Sequence, residues 1–431
     1  MTSRVWQRSA PSRYRSVPLP SPNGSADFDL FLPLRSAGSL ENPYPMYSVI
    51  RTVRPVLEVP VPNYSGPGVW MLTRYRDVHS VLRDPRFSVE RLRAPVMRDN
   101  LDRMPEFLRQ SATGTRSMLV MDPPDHTRVR KLVHKAFTPK RVAALRGHIE
   151  AIVRELADEA QAKGTFDLIH DVAEPLPAIV IAELLGVPAE DHRQFRQWSS
   201  TMINGFGSPS AEARATGAEA ARQVFDYLAD IIAARRRAPR EDLISAMIAA
   251  QEERDALTDA ELLATGNLLL LAGHETTTNL IGNGTLALLR EPDQWKRLCQ
   301  EPALLPTAIE ELLRYDGPVQ ATVRVALEDV AIDDQVIPEG SLVLVSIGAA
   351  NHDPDTFEDP DQLDLARVPN PHLAFGFGTH FCLGAPLARL ESRLAFDALT
   401  KRFPGLSLAD DRPVYRTNPV LRGLTSLNVA A

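Results

Sequence analysis

The chain has two cysteines, Cys299 and Cys382, in very different surroundings. Cys382 stands in Phe375-Gly376-Phe377-Gly378-Thr379-His380-Phe381-Cys382-Leu383-Gly384, where the glycines let the backbone turn sharply and approach a flat ligand closely. The apolar run Leu387, Ala388, Leu390 and Leu394 then predicts a helix, with Pro386 tolerated in its first turn. A cysteine just ahead of a helix N-terminus meets free N–H groups and the positive end of the helix dipole, and both favour a thiolate. Such a thiolate can ligate a metal or attack a carbon. Attack needs a base, and His380 is too close in sequence to serve well, so a cysteine hydrolase is the weaker reading. Cys299, in the helical Trp295–Gln300 stretch without such neighbours, reads as structural.

Three other spacings carry chemical potential. Glu311 and Arg314 stand at i and i+3 in Glu310-Glu311-Leu312-Leu313-Arg314-Tyr315 and share a helix face. Taken alone they make an ordinary surface ion pair, worth under about 1 kcal/mol. His126 and Arg130 stand at i and i+4; taken alone they make a solvated face. His274-Glu275 suggests the zinc motif HExxH, but the second histidine position holds Thr278, so that reading fails.

The elements that must position these residues are mostly helical. Helices are predicted at Pro43–Val53 and Asp77–Leu82, with strands at Val56–Val59 and Val69–Thr73 around the turn-rich Pro60–Gly68. Ser88–Met118 lacks clear periodicity and reads as a long surface loop of the kind that binds or covers ligands. Further helices are predicted at Asp125–Ala136, Pro139–Ala162, Val172–Leu185, Ala189–Ile203, Ala211–Arg237, Glu241–Gln251, Thr258–Leu289, Pro306–Tyr315 and Gly384–Arg402. Thr258-Asp259-Ala260-Glu261 is a capping-box start for the longest of them. Thr322–Ile332, a turn at Asp333-Asp334 and Val336–Ile337 suggest a hairpin, and Ser341–Ile347 another strand. Because strands lie near both ends of the sequence, the ends must meet in space, which favours one interwoven domain.

The segment Phe375–Gly384 matches FGxGxHxCxG at every fixed position. Together with Glu311-x-x-Arg314, Ala272-Gly273-His274-Glu275-Thr276-Thr277 and Met121–Arg130, it makes the chain resemble the cytochrome P-450 superfamily in its soluble bacterial form, from about Glu41 to the C-terminus. The resemblance implies a mainly α fold with a small β region, a single triangular-prism-like domain over 41–431. It implies heme b, with Cys382 as axial ligand to the iron; a thiolate there promotes O–O cleavage. Ala272, Gly273, Phe375, Gly376 and Gly384 would lie against the heme, and His126, Arg130, Arg324 and His380 would hold its propionates. Glu311, Arg314 and Arg367 would lock together and brace the cysteine loop. Gly273 would leave room for dioxygen, and the catalytic residues would be Thr276, steadying bound oxygen, and Glu275, relaying protons. Many members carry Asp where Glu275 stands, and often Arg where His352 stands. Taken alone, Thr276 would only back-bond to a helix carbonyl.

The resemblance also maps a substrate pocket. It draws on Met97, Leu101 and Met104; Leu268 and Ala272; Val319, Ala321 and Thr322; and Val420 and Leu421, with Met202 and Phe206 as a lid. These are mostly apolar, so the expected substrate is a small hydrophobic or amphipathic molecule. Arg91 and Arg93 could meet a substrate carboxylate, though as solvated charges they need no partner. The reaction implied is insertion of one oxygen atom from dioxygen, by hydroxylation or epoxidation, with electrons from NAD(P)H. No flavin or ferredoxin domain follows Cys382, so a separate ferredoxin or flavodoxin and its reductase are expected as partners. At about 100° per residue, Arg128, Lys131 and Lys135 fall opposite His126 and Arg130 and, with Arg389 and Arg393, could form a basic docking stripe.

Composition fits and limits these readings. The net charge of −7 argues against broad nucleic-acid binding. No apolar run reaches about 18 residues, so no membrane span is expected. Few cysteines suit a reducing cytoplasm and exclude a disulfide framework. Residues 1–40 read as a disordered leader: the first 26 hold Arg4, Arg8, Arg13 and Arg15 among Ser and Pro, with no Asp or Glu. The alternatives are a peroxygenase or oxidative coupling enzyme of the same fold, and a non-catalytic heme-binding sensor.

Overall fold

Apolar spacing at helical period builds a helical scaffold around one long central helix. The computed structural model describes residues 40–59, 61, 64–101, 116–134, 137–205, 210–251, 257–410 and 412–431. Nearly all of the expected leader, with Met104, Lys135 and Phe206, lies outside these. The helices are α1 Tyr44–Val53, α2 Tyr75–Arg83, α3 Pro95–Asp99, α4 Asp125–His134, α5 Pro139–Ala144, α6 Arg146–Lys163, α7 Pro175–Leu185 and α8 His192–Gly205. They continue with α9 Ala211–Arg237, α10 Leu243–Gln251, α11 Asp259–Arg290, α12 Pro292–Gln300, α13 Leu305–Tyr315, α14 Ile347–Ala350 and α15 Ala385–Arg402. The fold is mainly α with a small β region, as expected.

α11 is the axis of the molecule. The Thr258 hydroxyl accepts from the Glu261 N–H at 3.1 Å while the Glu261 carboxylate accepts from the Thr258 N–H at 2.8 Å, so both bonds of the capping box form. Nearly all of the helix from Leu280 to Leu289 is buried on every side, as expected of a helix enclosed by others. Gly284 lets α13 and α15 close on it: a Cβ there would lie 2.9 Å from side-chain atoms of Leu312 and Phe396.

Three elements differ from the sequence expectation. Pro139–Ala162 is two helices, because the Leu145 N–H bonds back to Val142 at 3.1 Å and tightens the turn between α5 and α6. The helix expected from Val172 starts at Pro175, after a wide π turn at Ile169–Ala173; proline lacks the N–H that a later helical position needs. Ser88–Met118, expected as loop, holds a 3₁₀ turn at Arg91–Arg93 and the short α3.

The strands are β1 Val56–Val59, β2 Val69–Leu72, β3 Phe87–Ser88, β4 Thr165–Asp167, β5 Ala321–Ala326, β6 Val330–Ile332, β7 Gln335–Ile337 and β8 Leu342–Ser346. Four more follow: β9 Ser407–Leu408, β10 Val414–Tyr415, β11 Leu424–Ser426 and β12 Asn428–Ala430. The largest sheet has the order β1-β2-β8-β5-β3, with β2 parallel to β8 and the other neighbours antiparallel. Early and late strands therefore share one sheet, and β12 likewise joins β4 and β9. The two ends of the described chain do meet. The expected strand Thr322–Ile332 is broken into β5 and β6, and the hairpin forms from β6 and β7 alone, with Asp333 at a φ of 58° in its turn. The main core surrounds α11, and two smaller apolar clusters lie against the large sheet. Among the described residues no helix is long and apolar enough to cross a membrane.

Candidate active site

The cysteine loop is held by groups that are themselves buried. Glu311 and Arg314 on α13 have no exposed side-chain surface, and Arg314 donates to Glu311 through Nε and Nη2, each at 2.8 Å. Arg367 donates to both Glu311 oxygens at 3.1 Å. Arg314 also donates to the carbonyls of Asn351, Pro360 and Gln362. The surface-pair reading of Glu311 and Arg314 is thus excluded, and the three residues form one knot. His352 serves the same region: one ring nitrogen meets Asp361 and the other meets the Tyr315 carbonyl, each at 2.8 Å, while its ring stacks on Tyr44.

From this knot the chain runs into the loop itself. Asn351 accepts from the Leu373 N–H at 2.8 Å, and the Phe375 carbonyl accepts from the Cys382 N–H at 2.9 Å. Gly378 has a φ of 71°, and a Cβ there would sit 3.0 Å from the Leu82 carbonyl, so glycine is required twice over. The Cys382 sulfur lies just before α15 and takes the N–H groups of Gly384 and Ala385, which favour the thiolate, as does Arg130. Burial outweighs them and pushes the thiol up. A Cβ on Gly384 would meet no atom within 4 Å, so the surface beside the sulfur is open to a flat group.

Above the loop, basic side chains gather with little negative charge to match. His126 is buried, its Nδ1 has no hydrogen-bond partner among the described residues, and its ring lies 4.1 Å from that of His380. Burial, then His126, Arg324 and Arg130, push His380 down to about 3. Burial and then Arg91 push Arg324 down to about 10. Arg91, read from sequence as a solvated charge or a substrate contact, is drawn into this cluster, and burial lowers its guanidinium too. Asp122 is the carboxylate nearby, and it is occupied by Ser88 and the Val89 N–H. A buried excess of cations asks for a dianionic group. Heme fits: a sulfur ligand, an open surface beside Gly384 and a basic cradle for propionates are all present. Arg130 acts on both His126 and His380 and also donates to the Phe381 carbonyl at 2.6 Å, so bracing the cysteine loop.

On α11 the middle of the helix opens. Ala272 is exposed and Thr276 partly so, within a helix otherwise largely buried. The Thr276 hydroxyl donates to the Ala272 carbonyl at 2.9 Å, the back-bonding geometry. Glu275 is buried and accepts from Asn279 at 3.1 Å. Gly273 was expected to leave room for dioxygen; its Cβ position faces Ile181 at 3.3 Å, so its small size lets α11 approach α7. Sequence reasoning also passed over Glu391. This residue of α15 is buried against Thr277, and burial pushes its carboxyl up to about 8. Unfolding lets it ionise near the ordinary value of 4.5, so stability is greatest below that pH and falls until about pH 8. Glu391→Gln is expected to remove up to a few kcal/mol of this pH dependence. Urea unfolding of both proteins at pH 5.5 and 8 checks it; parallel curves would refute it.

The pocket candidates divide. Met97 is buried and Leu101 partly buried in one cluster with Ala321, beside Thr322 on β5. Val319 and Leu421 are joined by a β-bridge, with the Gln320 N–H donating to the Val420 carbonyl at 2.8 Å. Leu268 packs against the main core on α11. Met202 is buried in α8, which packs on α9 through Gly205 and Gly217. The basic stripe loses members: Arg128 pairs with Glu261, and Arg389 donates to Glu310 at 2.7 Å while lying over the Phe375 ring. Lys131 and Arg393 remain exposed, as do the rings of Phe377 and Phe381 in the cysteine loop.

The family described as Cytochrome P450 matches residues 68–422. The polyketide biosynthesis cytochrome P450 PksS of Bacillus subtilis is 42% identical over 393 residues, covering 90% of this chain and 96% of its own. The vitamin D(3) 25-hydroxylase of Pseudonocardia autotrophica is 43% identical over 410 residues, covering 94% and 97%. The solved PksS structure superimposes with a TM-score of 0.82 at 41% identity, over 91% of this chain and 97% of that one. A cysteine loop braced by a buried Glu–Arg–Arg knot, a basic cradle and an opened central helix, carried by that fold and sequence, place this chain in the cytochrome P450 family, and it is a heme b-binding monooxygenase.

Proposed function

We propose that the enzyme hydroxylates or epoxidises a small hydrophobic or amphipathic molecule in the cytoplasm, drawing electrons from NAD(P)H through a separate ferredoxin or flavodoxin and its reductase. The observation that carries this reading is the exposed Ala272 and half-open Thr276 on the central helix, and the pocket candidates Leu268, Val319 and Leu421 are apolar. A relative named for hydroxylating vitamin D(3) supports an apolar substrate. Heme, bound through Cys382, supplies dioxygen activation and transfer of one oxygen atom.

The protein's own groups do the rest. Arg91, Arg324, His126 and His380 bind and orient the propionates. Glu275 gives a proton toward the open side of α11 and recovers one from solvent. Thr276 would turn its hydroxyl from the Ala272 carbonyl toward the open side of α11 and hold a proton at Oγ1 there. Lys131 and Arg393, which stay exposed, and the exposed rings of Phe377 and Phe381 offer an acidic electron donor cationic and apolar contacts.

The test is turnover of a substrate found by its shift of the heme absorption spectrum, with reductase, ferredoxin and NADPH, at two salt concentrations. Product should form with reductant, and heme reduction should slow as salt rises. Thr276→Ala should cut product per NADPH by about an order of magnitude and release peroxide. Turnover with peroxide alone and none with reductant would overturn the reading.

A further inference from the structure

The proton-delivering carboxylate is gripped from outside its own helix. Arg416 follows β10, and its Nε lies 3.5 Å from Glu275 Oε1, with the two side chains 9% and 2% exposed. The same Oε1 accepts from Asn279 Nδ2 one turn further along α11. Asn279 is in turn pressed by the C-terminal hairpin of β10 and β11, because Gly423 comes so close that a Cβ there would overlap its amide. We propose that Arg416 is a positioning residue for Glu275, by which the C-terminal hairpin, already bearing the candidate substrate contact Leu421, sets when Glu275 delivers its proton. The proposal rests on the reading of Glu275 as proton donor given above.

The hairpin is built to hold a fixed charge there. The Arg416 N–H donates to the Gly423 carbonyl at 2.9 Å and its Nε to the Leu424 carbonyl at 3.3 Å. Arg422 donates to Asp316 at 2.5 Å and lies over the Tyr415 ring, and Asn283 of α11 donates to the Arg422 carbonyl at 3.1 Å. A guanidinium mounted on such a frame stabilises the ionised carboxyl in a dry site, where its attraction is strongest. In each delivery Glu275 passes from neutral to −1 as it gives up its proton, and returns to neutral with one from solvent. Arg416 favours the −1 state and pulls the carboxyl back toward the hairpin. Any ligand that displaces Leu421 or Val420 moves the same backbone and changes that pull.

Other charges face this spot and must be separated from Arg416. His274, next on α11, meets Ser199 of α8 at 2.9 Å, and burial lowers its imidazole. Glu174 ahead of α7 and Arg196 on α8 also act on His274. None of these lies on the hairpin, but Arg416 also acts on His274 and lowers its imidazole, so the Glu275 carbonyl band, and not the activity profile alone, separates the two groups.

The experiment uses the heme-loaded full chain carrying Arg416→Leu, Arg416→Gln or Arg416→Lys, beside wild type and Glu275→Gln. Infrared spectroscopy follows the carbonyl band of the protonated carboxylic acid against pH, with the Glu275 band assigned by its loss in Glu275→Gln. The midpoint should rise by about one pH unit or more in Arg416→Leu and Arg416→Gln, and return most of the way in Arg416→Lys. Product per NADPH should follow the same displaced pH profile. Arg416→Gln keeps the size and polarity of the side chain should Arg416→Leu fold poorly. An unmoved midpoint with a wild-type profile overturns the Arg416 assignment, while lost coupling in Glu275→Gln leaves the proton-donor reading standing. Unchanged coupling in Glu275→Gln overturns that reading and the Arg416 proposal with it.

Discussion

The chain carrying Glu311→Ala is expected to be recovered largely without heme and with a clearly lowered unfolding midpoint. In the native protein Glu311 accepts from Arg314, Arg367, Asn370 and the Asp364 N–H, so one carboxylate answers four donor groups. Removing it strands Arg314, which is 1% exposed, with its charge met by carbonyls and the Phe357 ring and no carboxylate hydrogen bond among the described residues. Breaking a buried pair by deleting one partner costs about 3–5 kcal/mol, far more than the intact pair adds over an apolar substitute. The damage also has a direction. Asn351, whose carbonyl Arg314 holds, is the residue that accepts from the Leu373 N–H at the entrance to the cysteine loop. Loss of the knot therefore loosens the loop before it loosens the distant α9 or α10. Heme per chain, read from the Soret-to-protein absorbance ratio, and urea unfolding of the same sample test this. Wild-type heme content would remove Glu311 from the bracing role.

Much of this architecture was legible because it rests on local pattern. The limits of α9 follow directly from its Ser210 cap and apolar period, and Thr258 starts α11 by a side-chain bond to the fourth residue of its own box. Glu311 and Arg314 share a helix turn, so their pairing needed no knowledge of the fold, and resemblance supplied Arg367. What stayed hidden depends on groups far apart in sequence. Arg91 lies in a stretch without periodicity, and only the packing of its 3₁₀ turn near β5 turns it into part of the basic cradle. Arg416 and Glu275 meet across more than a hundred residues, through a hairpin whose register slips at Val414 and Tyr415. The docking stripe was overestimated for the same reason. Helical phase set Arg128 opposite His126 and Arg130, and Arg389 was joined to the same stripe, but neither step could show that Glu261 and Glu310 pair with them. The division at Leu145 turns on one tightened backbone bond, which apolar spacing cannot report.

Cys382→Ser should leave the fold standing and abolish the spectrum. The loop's conformation is set by backbone and arginine contacts: the Phe375 carbonyl to the residue 382 N–H, Arg130 to the Phe381 carbonyl, and glycine at positive φ in positions 376 and 378. None of these involves the sulfur, so a serine meets the same backbone. The basic cradle of Arg91, Arg324, His126 and His380 is likewise untouched, so some heme should still bind. What changes is the donor. The Gly384 and Ala385 N–H groups and Arg130 favour a thiolate at the cysteine, against the burial that raises its thiol, whereas a serine hydroxyl stays neutral under the same help. The electron donation that promotes O–O cleavage is then lost. Reduced protein with carbon monoxide should show no red-shifted band of a sulfur-bound heme, and turnover should fall below detection while the urea midpoint of the heme-free chain stays near wild type. Persistence of that band in Cys382→Ser would mean that the sulfur donor lies elsewhere. Among the described residues only Cys299 offers another thiol, and it sits on α12 packed against the core with its pKa raised by burial, so the expected outcome discriminates sharply between the two.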